Sequence, residues 1–463
     1  MSKNDSRRKF IQQLTGTALL FGAGSLERLH AEERMEERIL QYDHRYSAND
    51  KVRVAVIGTG IMGHNDLSSA LKVPGVELAG ACDLYTGRLD RMKELYGADL
   101  FVTRDYRELL QRKDIDAVII ATSDHHHARI ATDAMKAGKH VYCEKPMVHK
   151  LDQGLGVINT WKQTKKTMQV GSQRISGLDH AKARELYQAG QIGQLNCIEA
   201  STDRQSANGA WQYTMPTDGN PETVDWDRYL AGMPKQPWDP KKFFWWRNYK
   251  DFGTGMSGDL FVHLLTGIHY ITGSTGPSKI FSSGQLSYWK DGRDVPDVLT
   301  AILEYPQTDA HPPFQVMLRV NFISGSGEKS VTRFIGSEGA IDVGDGITVN
   351  HSIMSKAPGI GGWDSLGTYP KAMQEQLRKN YDEKFSSDDK KRPTKEPIKF
   401  RAPQGFNEHV EHFANFFDGV RTGKAVIEDP VFGFRAAGPC LAVNDSYYQK
   451  KIIKWDPTTM KVK

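Results

Sequence analysis

The chain is short of cysteine, with four in 463 residues. Cys82, Cys143, Cys197 and Cys440 lie far apart with no C-x-x-C, which excludes a disulfide framework and a cysteine zinc site; free buried thiols are expected, as at Cys82 and Cys143, each at the end of an apparent strand. No run of about 18 apolar residues is present, so no segment reads as a transmembrane helix. Charge of one sign is also scarce: 61 Lys and Arg against 56 Asp and Glu leave +5, with the cations scattered among acids, which argues against a nucleic-acid-binding stripe. Internal repeats are absent. Three consecutive histidines, His125 to His127, come without a supporting Cys or carboxylate cluster, and adjacent loop residues rarely point at one ion, so no metal is expected. They read instead as a helix-entry turn near a cofactor. What remains is a globular composition, 10% aromatic and 25% charged, long enough for two or three domains.

The most informative stretch present is Val52 to Gly63. A β-branched run, Val52 to Ile57, stops at Gly58, and Gly58, Gly60 and Gly63 form G-x-G-x-x-G with Thr59, Ile61 and Met62 between them. Gly58 allows the tight turn, Gly60 lets a pyrophosphate approach the backbone, and Gly63 lets the following helix pack closely. Asp83 stands twenty residues past Gly63, at the end of the next apolar run. An acid there accepts hydrogen bonds from an adenosine ribose and repels a 2′-phosphate, which favours NAD over NADP. Arg88 softens that preference.

Strands then alternate with helices: helix Thr86 to Tyr96, strand Leu100 to Thr103, helix Asp105 to Leu110, strand Asp116 to Ala121, helix Ala128 to Ala137, strand His140 to Cys143. This pattern predicts a doubly wound parallel sheet, with ligands at the carboxyl ends of its strands. Thr122, Ser123, His125 and Glu144-Lys145-Pro146 fall at that edge. At the other extreme, Ser6-Arg7-Arg8-Lys9-Phe10-Ile11 before the apolar Leu14 to Gly24 resembles a twin-arginine export signal, which implies a periplasmic protein carried across the membrane folded and cofactor-loaded. The division read from the sequence is 1–50 signal and linker, 51–172 nucleotide domain and 173–463 substrate domain.

The order Gly58-x-Gly60-x-x-Gly63, Asp83, the Thr122 to His127 turn, Glu144-Lys145-Pro146 and Asp259-Leu-Phe-Val-His263 resembles the glucose–fructose oxidoreductase, inositol dehydrogenase and rhizopine-catabolism (Gfo/Idh/MocA) family, over about residues 51–456. The resemblance implies an α/β architecture: an N-terminal Rossmann domain, and a C-terminal α/β domain whose large, open, mostly antiparallel sheet supports homo-oligomers. It places Lys145 beside the nicotinamide and the reacting hydroxyl, makes His263 the general acid/base with Asp259 its neighbour, and suggests a cis peptide before Pro146. The bare chemistry agrees: a histidine titrating near neutrality accepts the hydroxyl proton as hydride leaves, and a lysine ammonium stabilises developing alkoxide. At i and i+4, Asp259 and His263 share a helix face, so Asp259 is expected to orient the imidazole or bind a substrate hydroxyl, and Glu144 to fix Lys145.

Residues 201–250 are rich in aromatics broken by prolines and read as an ordered insertion before the catalytic helix. Aromatic faces with flanking polar groups suit a sugar, and Trp246, Arg247 and Tyr249, with Arg174, are the expected substrate contacts. His180 and His409 are the next candidates should His263 fail. The function expected is NAD-dependent hydride transfer to or from a secondary hydroxyl of a sugar, glycoside or cyclitol. An NAD-dependent glycosidase working by transient oxidation and elimination is the alternative, although the Tyr-x-x-His-Gly-Leu-Gly-Pro stretch of that branch is missing. A non-enzymatic sugar or nucleotide sensor is the third reading, disfavoured because binding alone does not need Lys145 and His263 together. Thr266 stands where the family often has an acid, so substrate identity does not transfer.

Overall fold

The structure, a computed structural model, describes residues 51–463. The export motif and the linker lie outside these residues.

Six short strands, β1 (Val52–Ile57), β2 (Val76–Cys82), β3 (Val102–Thr103), β4 (Ala117–Ile120), β5 (His140–Glu144) and β6 (Met168–Gly171), form a parallel sheet in the order β3-β2-β1-β4-β5-β6. The residues of β4 are all buried, as are all but Arg53 of β1, so continuous apolar runs rather than alternation mark these strands. The strand order reverses between β1 and β4, the place where α/β sheets bind ligands. Gly58 follows β1 there and Ala121-Thr122 follow β4.

The second sheet has ten strands: β7 (Leu195–Asp203), β8 (Lys279–Gln285), β9 (Val298–Tyr305), β10 (Phe314–Asn321), β11 (Lys329–Gly336), β12 (Gly339–Gly344), β13 (Gly346–His351), β14 (Ile398–Phe400), β15 (Ile453–Asp456) and β16 (Lys461–Val462). Their order is β14-β13-β12-β11-β7-β10-β9-β8-β15-β16. All neighbours are antiparallel except β7 and β10. Burial alternates along β10, and the inward residues Ile280, Leu303, Val316 and Leu318 are fully covered. The helix Pro430–Gln449 lies on this inner face, where Ser282 Oγ donates to Val443 O at 2.7 Å.

Between β7 and β8 the chain makes the aromatic insertion. Val224, Trp226, Tyr229, Phe243, Phe244, Tyr249 and Phe252 form a separate apolar cluster, joined by Tyr85 from the nucleotide half. The insertion leads into a π-helical turn, Ser257–Phe261, which runs directly into the α-helix Val262–Thr272. All four cysteines are free, as the sequence implied.

Candidate active site

The glycine-rich turn after β1 is bare backbone. Gly58 has φ +90°, and a Cβ there would lie 2.6 Å from Ala121 O; a Cβ on Gly63 would lie 1.9 Å from Gly58 O. The helix Ile61–Ala70 starts without a capping side chain or an acid in its first turn, leaving its N–H groups to a diphosphate. These features fit a dinucleotide. Asp83 sits at the end of the same cavity, which also takes in Gly58, Gly60, Ile61, Met62, Arg88 and Thr122. Its carboxylate accepts from Thr59 N at 2.8 Å, Thr59 Oγ1 at 3.3 Å and Tyr85 N at 2.9 Å, and pairs with Arg88 at 3.5 Å. Thr59 thus turns its side chain toward Asp83.

The catalytic candidates converge on Asp259. Lys145 Nζ donates to Asp259 Oδ1 at 2.9 Å and to Asp259 O at 3.1 Å, and Arg247 Nε donates to the same Oδ1 at 3.1 Å. Burial opposes ionisation of Asp259, but Lys145 and then Arg247 overcome it and hold the carboxyl well below the usual range. The Arg247 guanidinium also lies 4.2 Å from the Trp246 ring centre. Asp124, in the first turn of the helix Asp124–Lys136, accepts from Thr254 N at 2.9 Å and Thr254 Oγ1 at 2.6 Å, pinning the turn that delivers Asp259. The Lys145–Pro146 peptide is cis.

His263 follows Asp259 after the π turn. Its Nδ1 is buried with no hydrogen-bond partner among the described residues. Burial first, then Lys145 and Arg174, push its pKa well below the ordinary histidine value, so the imidazole is neutral. His263 opens on a second cavity, shared with Arg174, His180, Thr332 and Glu408. Trp246 and Arg247 face the first. Arg247, bonded to Asp259, thus lines the first cavity and His263 the second, while Lys145 and Asp259 themselves line neither.

Several sequence expectations change. Asp259 does not hold the His263 imidazole: its carboxylate is taken by Lys145 and Arg247, because the π turn widens the spacing on which an i,i+4 contact depends. His263 is not poised near neutrality. Glu144 does not fix Lys145: Gln173 Nε2 donates to its Oε1 at 2.5 Å, and burial raises its pKa to about 7 against the pull of Lys145. Nor does Glu144 reach the dinucleotide cavity. His125 is turned away from that cavity, its ring nitrogens on Phe252 O and Tyr229 O, while His126 lines it. Tyr249 is packed in the aromatic cluster and lines neither cavity. His180 shares the second cavity with His263, and His409 does not line it. Sequence reasoning missed Arg104, Arg129, Arg228, Tyr229, Phe243 and Phe244 in the first cavity. The aromatic richness of 201–250 was the only signal for Tyr229, Phe243 and Phe244, and nothing in the sequence pattern marked Arg104 or Arg129. Among the described residues, no group of three or more His, Cys, Asp or Glu is placed to hold a metal ion, and no helix is long and apolar enough to cross a membrane.

Residues 52–172 match the model of an oxidoreductase family with an NAD-binding Rossmann fold. Over this domain the chain is similar to the Gfo/Idh/MocA oxidoreductases. It is 31% identical over 145 residues to inositol 2-dehydrogenase of Salmonella typhimurium, covering 31% of this chain and 43% of that protein. It is 33% identical over 162 residues to an alpha-N-acetylgalactosaminidase of Shewanella oneidensis, covering 32% and 34%. The chain thus spans less than half the length of these curated relatives. The fold extends much further: levoglucosan dehydrogenase in complex with NADH and L-sorbose superposes with TM-score 0.63 at 17% identity, over 88% of this chain and 100% of that one. Aldose-aldose oxidoreductase from Caulobacter crescentus gives 0.61 at 16%, over 87% and 99%.

Proposed function

We propose that this protein is an NAD-dependent oxidoreductase that transfers hydride between nicotinamide and a secondary hydroxyl of a sugar, glycoside or cyclitol. The observation that carries this reading is the buried Lys145–Asp259–Arg247 cluster, with Arg247 on the glycine-lined cavity and His263, whose Nδ1 has no partner among the described residues, on a second cavity. NAD, when bound, supplies the hydride acceptor. Asp259 holds the Lys145 ammonium in place through two of its N–H groups, and the third is offered to the substrate oxygen, where negative charge grows during oxidation. Neutral His263 takes the hydroxyl proton and returns it in the reverse direction. Asp83 selects the ribose diol and thereby NAD over NADP.

The test is to supply NAD or NADP with a panel of sugars, glycosides and cyclitols and to follow reduced nicotinamide by its absorbance. NADH formation from at least one polyol is expected, falling by about 10²–10⁴-fold in Lys145→Ala. A panel without turnover, or full activity in Lys145→Ala, would sink the reading. Equal use of NADP would remove the role of Asp83. Glycoside cleavage without net NADH would move the assignment to the redox-assisted glycosidase. Two further proposals complete the picture. The open face of the second sheet joins copies of the chain. Arg7 and Arg8 direct export to the periplasm; with both replaced by Lys, the protein should stay in the cytoplasm, and unchanged export would refute the twin-arginine route.

A further inference from the structure

The cavity that starts at the glycine-rich turn and passes Asp83 is walled on its other side by the aromatic insertion of the substrate half, with Arg228, Tyr229, Phe243 and Phe244 facing the same space as Gly60 and Arg88. The two walls are tied where the chain leaves Asp83. Thr86 N donates to Thr223 O at 3.0 Å, and Asp225 N donates to Leu84 O at 2.9 Å. Tyr85 and Val224 are paired as an isolated antiparallel bridge. Tyr85 OH donates to Asp218 Oδ1 at 2.5 Å, and the Tyr85 ring meets Phe244 edge-on with centroids 5.5 Å apart. Arg228 reaches Asp105 at 3.6 Å, and Arg129 Nη1 donates to Ala231 O at 2.9 Å. Apart from the Phe244 ring contact, every one of these links crosses from the nucleotide domain to residues 218–231. The largest side chain among them, Tyr85, belongs to the insertion's own apolar cluster.

We propose that residues 218–231 are a clasp over the Asp83 end of the dinucleotide cavity, and that bound NAD(H) leaves only when this clasp opens. The proposal rests on the dinucleotide reading above. Opening breaks two backbone hydrogen bonds and withdraws Tyr85 from an apolar cluster, so release is slow compared with an open Rossmann cleft. Arg88 belongs to the same device: its guanidinium lies 5.8 Å from the Phe244 ring centre and 3.5 Å from Asp83, so it spans the two walls.

The test uses the whole chain loaded with NADH, whose release is followed by fluorescence after addition of excess NAD. Tyr85→Cys with Val224→Cys sets two thiols at facing positions of an antiparallel bridge. Cα atoms of such pairs lie about 4.5–5.5 Å apart, within disulfide range. NADH release from the oxidised form should be slower than from the same protein reduced with dithiothreitol by at least about tenfold. The converse variant, Thr86→Pro with Tyr85→Phe, removes the Thr86 N–H and the Tyr85 hydroxyl. Thr86 is the first residue of its helix, where proline is tolerated, and Tyr85 is already extended, as a residue before proline prefers. Its NADH release should be faster than that of the unmodified chain, and it decides the matter should the cysteine pair not fold or not oxidise. NADH that binds but leaves at equal rates with the clasp locked, reduced or loosened overturns the clasp and leaves the oxidoreductase reading standing. An unmodified chain that binds no dinucleotide refutes both.

Discussion

The imidazole of His263 is the residue on which the proposed chemistry turns, and its surroundings fix a pH dependence. Burial and the cations Lys145 and Arg174 all disfavour imidazolium, and Asp259 only partly offsets them. Oxidation needs the neutral form as proton acceptor. As pH falls, that form is lost only below the ordinary histidine value, so the acid limb of kcat/KM for oxidation should lie below about pH 6.5. A limb centred at 6.5 or above would mean that another group accepts the proton. His263→Ala should lower turnover by about 10²–10⁴-fold while leaving NADH binding intact, because the dinucleotide cavity does not include it. The family resemblance named Lys145, Asp259 and His263 together, and the structure brings Lys145 and Asp259 into contact. The partners of these residues were not legible in the sequence. The sequence pattern implies an α-helical i,i+4 pair, whereas the π turn at Ser257–Phe261 hands the carboxylate to Lys145 and Arg247.

Among elements, five of the six strands of the nucleotide sheet were readable, because buried parallel strands are continuous apolar runs bounded by glycine or polar turns; Asp116 to Ala121 was expected and Ala117–Ile120 is observed, whereas the four-residue β6 was not foreseen. The insertion was readable as ordered and aromatic, but not as a wall of the dinucleotide cavity, since irregular chain has no periodicity to show which face it buries. His125 and His126 show the same limit: one residue of helix register decides which faces the cavity. Composition also hid the carboxyls sealed behind the active-site edge. Asp66 is wholly buried with neither oxygen partnered among the described residues. Glu428, in the loop before the helix Pro430–Gln449, accepts from Ser172 N at 3.1 Å. Burial, with Glu144 adding to it, raises the Glu428 pKa to about 8 despite Ser172. A carboxyl with a raised folded pKa binds its proton more tightly folded than unfolded. It therefore contributes stability at low pH that is lost as pH rises from the unfolded value of 4.5 through about 8. Glu428→Gln keeps an acceptor for Ser172 N–H and removes the titration. It should be more stable than the parent at pH 8 by about 1 kcal/mol or more, with the gap closing toward pH 4.5. Denaturation curves at the two pH values read this directly, and a gap independent of pH would show that Glu428 does not titrate on unfolding.

Among the described residues, the large sheet has one face covered and one open. Register places Phe281 beside Ile302 and Ile302 beside Met317, all pointing away from the helices. They are 46%, 42% and 40% exposed, against complete burial for Ile280, Leu303 and Val316 next to them in sequence. An apolar row crossing three adjacent strands is a patch rather than a scatter of single residues, and such patches mark interaction surfaces. Along the same face the row continues as Glu199, Arg333 and Asp342, with Arg333 Nε on Asp342 Oδ1 at 2.6 Å. An apolar centre with charged flanks suits the self-complementary contact of a two-fold pair. Ile302→Arg with Met317→Glu puts opposite charges at neighbouring positions of β9 and β10, where they satisfy each other within a single chain but break an apolar contact between chains. The doubly substituted protein should keep its circular dichroism and its NADH binding, since both cavities lie on the far side of the sheet from this row. Its sedimentation should shift from an oligomer to a monomer. An unchanged oligomer would place the subunit contact elsewhere, and a monomeric parent would remove the need for one.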